Sequence, residues 1–164
     1  MTGEYRYPCS MCSEKISTTL PETESDIDSF LAGFESCTLP KARWTHGAHI
    51  LTGACYVHAF GRETALTHLR NNIRRYNESV GGKNTETEGY HESITVFWVR
   101  ILAQMHAAGT HTSGAWPSRS AFAHAAVARF APQRDLFKSY YSFDLIGSIH
   151  ARREWVPPDL QPLD

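Results

Sequence analysis

The chain has 164 residues, a net charge of −1, and 41% hydrophobic and 20% charged residues. That is enough for one domain with a real core, and it gives no electrostatic reason to expect nucleic acid or an anionic membrane surface as partner. Apolar runs fall far short of the roughly 20 residues that a membrane span needs. The stretch MTGEYRYPCSMCSEKIS has neither the basic start nor the apolar centre of a signal peptide. A cytoplasmic location is the expectation.

Residues 1–24 read as an irregular N-terminal arm without periodicity, which leaves 25–164 as a single helical domain. Cys9-Ser-Met-Cys12 is a C-x-x-C of the kind found in zinc sites and redox pairs. No second C-x-x-C follows and the surroundings are polar, so a functional role is disfavoured. Cys55 falls in an apolar helical pattern and reads as a small core residue.

The first helix is expected over 25–36, where Ile27, Phe30, Leu31 and Phe34 recur at helical spacing behind a cap at Ser25 or Asp26. A second runs over 46–60, capped by Thr45 and stopped by Gly61. The third, over 62–79, carries Leu66, Leu69, Ile73 and Tyr76 on one face; Arg70, Asn71, Arg74 and Arg75 suit a solvated opposite face. Residues 80–89 form a turn-rich loop. The fourth helix, over 90–108, is the most apolar and is expected at the centre, with Phe97 and Trp98 in the core. Residues 109–114 read as a loop. A fifth helix is expected within 118–129, a short sixth around 134–141, and a last turn or two within 148–155 before Pro157-Pro158. No period-two strand pattern appears, so the class is all-α: a compact bundle of about five to six helices.

Loop lengths then locate a site. Helices two and three are joined by about two residues and must run antiparallel; a loop of about ten residues brings helix four back beside them. Helices two and four therefore start at the same end of the bundle. Both starts carry the same chemistry: Thr45-His46-Gly47-Ala48-His49 in one, Gly89-Tyr90-His91-Glu92-Ser93 in the other. Residues i and i+3 share a helix face, so His46 and His49 converge and His91 is placed to add a third imidazole. Three neutral histidines with an open position suit zinc, iron or copper, and such a metal activates water. His91 and Glu92 point about 100° apart, so one of them is the ligand and the other a general base or supporting partner. Tyr76 and Asn77 arrive at the same end and, with Tyr90, are candidates for substrate binding. Arg43, Arg74 and Arg75 could recognise an anion there or be ordinary surface arginines. An H-x-x-H is common by chance among nine histidines, and a histidine near a helix start can simply hydrogen-bond a loop carbonyl. His58, His68, His106, His124 and His150 read as structural or surface residues. No G-x-S-x-G, Walker loop, G-x-G-x-x-G or H-E-x-x-H is present.

Trp44-Thr45-His46-Gly47-Ala48-His49, Gly89-Tyr90-His91-Glu92-Ser93 and Trp155-Val156-Pro157-Pro158-Asp159-Leu160 together resemble an uncharacterised group of small bacterial all-helical proteins with W-T-H-x-A-H, G-Y-H-E-[ST] and W-V-x-P-D-L motifs. The resemblance covers about residues 40–160. It implies a shared architecture and a shared site at the same histidines, and no named reaction.

Two functions stay open. One is a metal-assisted enzyme acting on a small polar molecule, with His46, His49 and His91 as ligands of zinc or iron, and Glu92 or His91 in acid–base chemistry. The other is a non-catalytic helical module that binds a small ligand or a protein. A homodimer through an apolar helix face is compatible with both.

Overall fold

The structure, a computed structural model, describes residues 19–163, apart from the side chains of residues 110–113. Cys9 and Cys12 and most of the expected arm lie outside the described residues. Among the described residues five helices account for the regular structure: α1 (Glu24–Glu35), α2 (His46–Ser79), α3 (Glu92–Ser113), α4 (Arg119–Phe130) and α5 (Ile149–Arg153), with 3₁₀ turns at Lys41–Arg43 and Leu136–Ser139. No strand occurs among the described residues. The all-helical bundle is the architecture that the sequence periodicity predicts.

Helix α1 is capped by Thr23, not by Ser25 or Asp26. The Thr23 hydroxyl accepts from the Asp26 N–H, and the Asp26 carboxylate accepts from the Thr23 N–H, a reciprocal capping box. The domain begins earlier than residue 25. Pro21 is buried, its carbonyl accepts from His124 Nε2 at 3.0 Å, and Leu20 packs against the core.

Gly61 divides α2 into two limbs, 46–60 and 62–79. Its φ of 73° is a left-handed conformation that costs glycine little. The limbs fold back as an antiparallel hairpin: Phe60 meets His68 with ring centroids 4.9 Å apart, Asn72 donates to the Tyr56 hydroxyl, and Trp44 meets Tyr76. The first limb runs parallel to α3. His46 touches Trp98, a Cβ on Gly53 would lie 2.9 Å from Leu102 Cδ1, and His58 hydrogen-bonds His106, so both chains of contacts ascend together. The starts of α2 and α3 therefore lie at one end of the bundle.

The central helix is the first limb of α2, not α3. Every residue from Ile50 to Val57 is buried, and a helix buried all round belongs in the middle of a bundle. Thr52, Gly53, Ala54 and Cys55 are small, so α3 and α4 approach it closely. Helix α3 runs past the expected stop at residue 108 to Ser113. Gly114, at φ 89°, ends it, and the Trp116 indole folds back to donate to the His106 carbonyl at 3.2 Å. Among the described residues no helix is long and apolar enough to cross a membrane.

The C-terminal segment is stitched to the start of α3. Ser93 Oγ donates to the Glu154 carbonyl at 2.7 Å and accepts from the Val156 N–H at 2.9 Å. Tyr141 donates to the Val156 carbonyl, and Asp159 accepts from the Ser142 N–H. The segment beginning Trp155-Val156-Pro157 thus reaches the same end of the bundle as the two helix starts.

Candidate functional site

The start of α2 is held by Thr45, whose hydroxyl accepts from the Ala48 N–H at 3.3 Å. The Thr45 carbonyl also receives His49 Nδ1 at 2.8 Å. A carbonyl only accepts, so Nδ1 carries the proton and Nε2 holds the lone pair. Trp44 packs against the imidazole with centroids 4.2 Å apart. Burial pushes the His49 pKa down to about 4; the Thr45 carbonyl opposes this, and His46 and Arg134 add to it. His49 is therefore a neutral imidazole in one defined tautomer at neutral pH.

His46, one turn earlier, sits edge-on to Trp98 at 5.2 Å. Its pKa is also lowered, first by burial, with the Phe130 carbonyl opposing and Arg134 contributing. His46 Nε2 and Trp44 Nε1 are buried without a hydrogen-bond partner. Such atoms cost roughly 1–3 kcal/mol each; Arg43 Nε and the core Thr52 Oγ1 are in the same position.

These residues border two adjoining cavities. The larger, about 590 Å³, lies among Trp44, His46, His49, Ile94, Trp98 and Arg134, with Phe137 and Ile146 also lining it. The smaller, about 350 Å³, shares Trp44, His49 and Ile94 with it and extends to Asn77, Tyr90 and His91. His49 thus borders both, in a groove of mostly apolar walls with a few polar groups, the usual make-up of a small-molecule site.

The start of α3 is spent differently. His91 caps the helix: its Nδ1 accepts from the Ile94 N–H at 3.3 Å while its Nε2–H donates to the Leu145 carbonyl at 3.0 Å. Both ring nitrogens are used, the tautomer is opposite to that of His49, and burial lowers the pKa, with the Leu145 carbonyl opposing. Glu92, 6% exposed, is held by Arg70 through Nε at 2.9 Å and through Nη2, and accepts from the Tyr90 hydroxyl at 2.8 Å. Arg70, expected on a solvated face, is instead the counter-ion of a buried carboxylate. Burial and the Glu92 charge raise the Tyr90 pKa.

The residues singled out from sequence therefore separate. His46 and His49 share the groove, and His91 borders its smaller cavity with no free nitrogen. Glu92 faces Arg70 and Tyr90. Tyr76 is fully buried and donates to the Leu39 carbonyl at 2.9 Å, so it is a core residue and not a groove wall. Asn77 borders the smaller cavity and donates to Asn84 Oδ1. Tyr90 borders it too. Among the described residues no group of three or more His, Cys, Asp or Glu side chains is placed to hold a metal ion. His91, the expected third ligand beside His46 and His49, has both ring nitrogens engaged by the backbone.

Sequence reasoning missed Arg134, whose charge acts on both groove histidines, and Ile146; each comes from irregular chain remote from the motifs. It placed Trp98 in the core without its role as a wall. Trp44, adjacent to the H-x-x-H, was the one legible addition.

No family model matches the chain, and neither the curated proteins nor the solved structures include a significant match.

Proposed function

We propose that this protein is a small-molecule-binding helical module whose ligand places a hydrogen-bond donor on His49 Nε2 and an apolar body against Ile94 and Trp98. One observation carries the reading. The Nδ1–H of His49 is anchored on the Thr45 carbonyl, which fixes a neutral acceptor in a side chain bordering both cavities. A fixed tautomer lowers the ordering cost of binding. The lowered pKa favours acceptance of a neutral O–H or N–H over formation of an imidazolium.

Phenol is a suitable probe, with one donor and one apolar ring. Titrated into isotopically labelled protein, it is expected to shift His49 and the Trp98 indole together, and His49→Ala is expected to abolish the His49-dependent shifts. Shifts confined to other surfaces, or binding indifferent to His49→Ala, would dismiss the reading.

A metal-assisted enzyme acting on a small polar molecule is the second reading, favoured by a narrower observation. His46 and His49 lie one turn apart, both are held neutral, and each has a ring nitrogen that no protein hydrogen bond reaches among the described residues. Two imidazoles would hold zinc or iron with solvent or substrate in the remaining positions. Dialysis of untagged protein against zinc, then elemental analysis, separates the readings. Zinc retained by the parent and lost in both His46→Ala and His49→Ala favours the metal; no retained zinc removes it.

A further inference from the structure

Tyr90 also borders a second cleft. This cleft, about 440 Å³, is walled by Arg74, Arg152 and Arg153 with Thr85 and Glu86. Its charges do not cancel. Arg153 pairs with Glu86. Glu92, the nearest buried carboxylate, is taken by Arg70. Arg74 lies over the Tyr90 ring, Cζ 4.3 Å from the centroid, and has no carboxylate partner among the described residues. Arg152 donates through Nη1 to the Gly89 and Tyr90 carbonyls at 3.2 and 3.3 Å, and through Nη2 to the Ile146 carbonyl at 3.3 Å. Carbonyls satisfy those N–H directions without neutralising the cation. They also hold the guanidinium still while its Nε–H makes no bond to the described protein. Two guanidinium charges, one over an aromatic face and one clamped by three carbonyls, therefore face one cleft with no anionic partner of their own among the described residues.

The loop opposite is equally fixed. Asn84 Nδ2 donates to the Arg74 carbonyl and to Glu78, both at 2.9 Å, and its Oδ1 accepts from the Tyr90 N–H at 3.0 Å. Gly89, at φ 79°, lets the chain pass so near Lys83 that a Cβ there would lie 2.0 Å from the Lys83 carbonyl oxygen. The field of Arg152 is also felt by His91, whose lowered pKa it helps to lower further.

We infer that this cleft is an anion site for a small phosphate group, free or carried as a monoester, bound by Arg74 and Arg152 with the Arg153–Glu86 pair as its rim. Two uncompensated cations match a dianion better than a monoanion, and guanidinium forks fit phosphate oxygens in pairs. The cleft shares Tyr90 with the smaller groove cavity but uses neither groove histidine, and it stands whether or not that groove binds a ligand.

The test is titration of inorganic phosphate, and separately of glycerol phosphate, into the full chain at pH 8 and low ionic strength, where screening is weak. Calorimetry and the Tyr90 ring resonances are the readouts. Phosphate is expected to bind with a dissociation constant of about 1 mM or tighter, and Arg74→Gln to weaken it about tenfold. Glu86→Gln removes the competing carboxylate and is expected to tighten binding, which loss of folding cannot imitate. Arg62→Gln, at an exposed arginine already paired with Glu63, is expected to change nothing. A tighter monoester assigns the site to an esterified ligand; equal affinity assigns it to the free ion. No binding at about 20 mM phosphate, equal binding of acetate, or equal weakening by Arg62→Gln would overturn the site.

Discussion

The starts of α2 and α3 make an informative pair. Each opens with histidine at one end of the same bundle, and burial keeps both histidines neutral. At α2 the imidazole of His49 takes one backbone partner and leaves its second nitrogen without a hydrogen bond among the described residues. At α3 the imidazole of His91 takes two backbone partners and keeps none. The difference lies in what packs nearby. Leu145 brings a carbonyl to His91, and Arg70 reaches Glu92, whereas His49 is flanked by the face of Trp44. Residue type and helix position alone do not distinguish the two starts; they differ in the polar capacity left over after the fold has used what it needs.

That contrast breaks first at Glu92. Glu92→Ala strands Arg70 and removes the acceptor of the Tyr90 hydroxyl. Because Arg70 is 38% exposed, the expected loss is at the lower end of the range for buried pairs, about 3 kcal/mol in urea unfolding. A loss below about 1 kcal/mol would mean that the carboxylate is spare, and available for chemistry after all. Acidification acts on the other start. The folded His49 pKa is about 4 while the unfolded chain takes up its proton near 6.5. Stability is then flat above about pH 6.5 and falls as pH drops toward 4, by about 3 kcal/mol from this residue. His49→Gln is expected to flatten that part of the profile, and an unchanged slope would move the acid sensitivity elsewhere. A smaller effect is expected at His91. His91→Ala removes a helix cap and the donor to Leu145, costing about 2 kcal/mol in thermal or urea unfolding while leaving phenol binding at His49 intact. A variant of full stability that had lost binding would reverse the roles of the two helix starts.

Much of this was legible in local pattern. The apolar spacing at Ile27, Phe30, Leu31 and Phe34, the cap at Thr45 and the break at Gly61 all depend on neighbours in sequence. So did the parallel course of the first limb of α2 and α3, which follows from two loop lengths. The central position of the first limb was hidden because Thr52 and Gly53 do not read as apolar, yet the small size of Thr52, Gly53, Ala54 and Cys55 is what lets α3 and α4 close around them. The fates of His91 and Glu92 were hidden for another reason. Their partners, Leu145 and Arg70, stand 54 and 22 residues away, and Arg70 reads as solvated by helical phase alone. Burial is the largest cause of the lowered pKa of both groove histidines, and burial depends on elements distant in sequence.

The most direct measurement is a nitrogen-detected NMR titration of the histidine rings between pH 4 and 8. His49 is predicted to stay neutral down to about pH 4 as the Nδ1–H tautomer, with Nε2 showing the shift of a bare lone pair, while His91 appears as the Nε2–H tautomer. A His49 that titrates near its ordinary value, or that carries its proton on Nε2, would contradict the account.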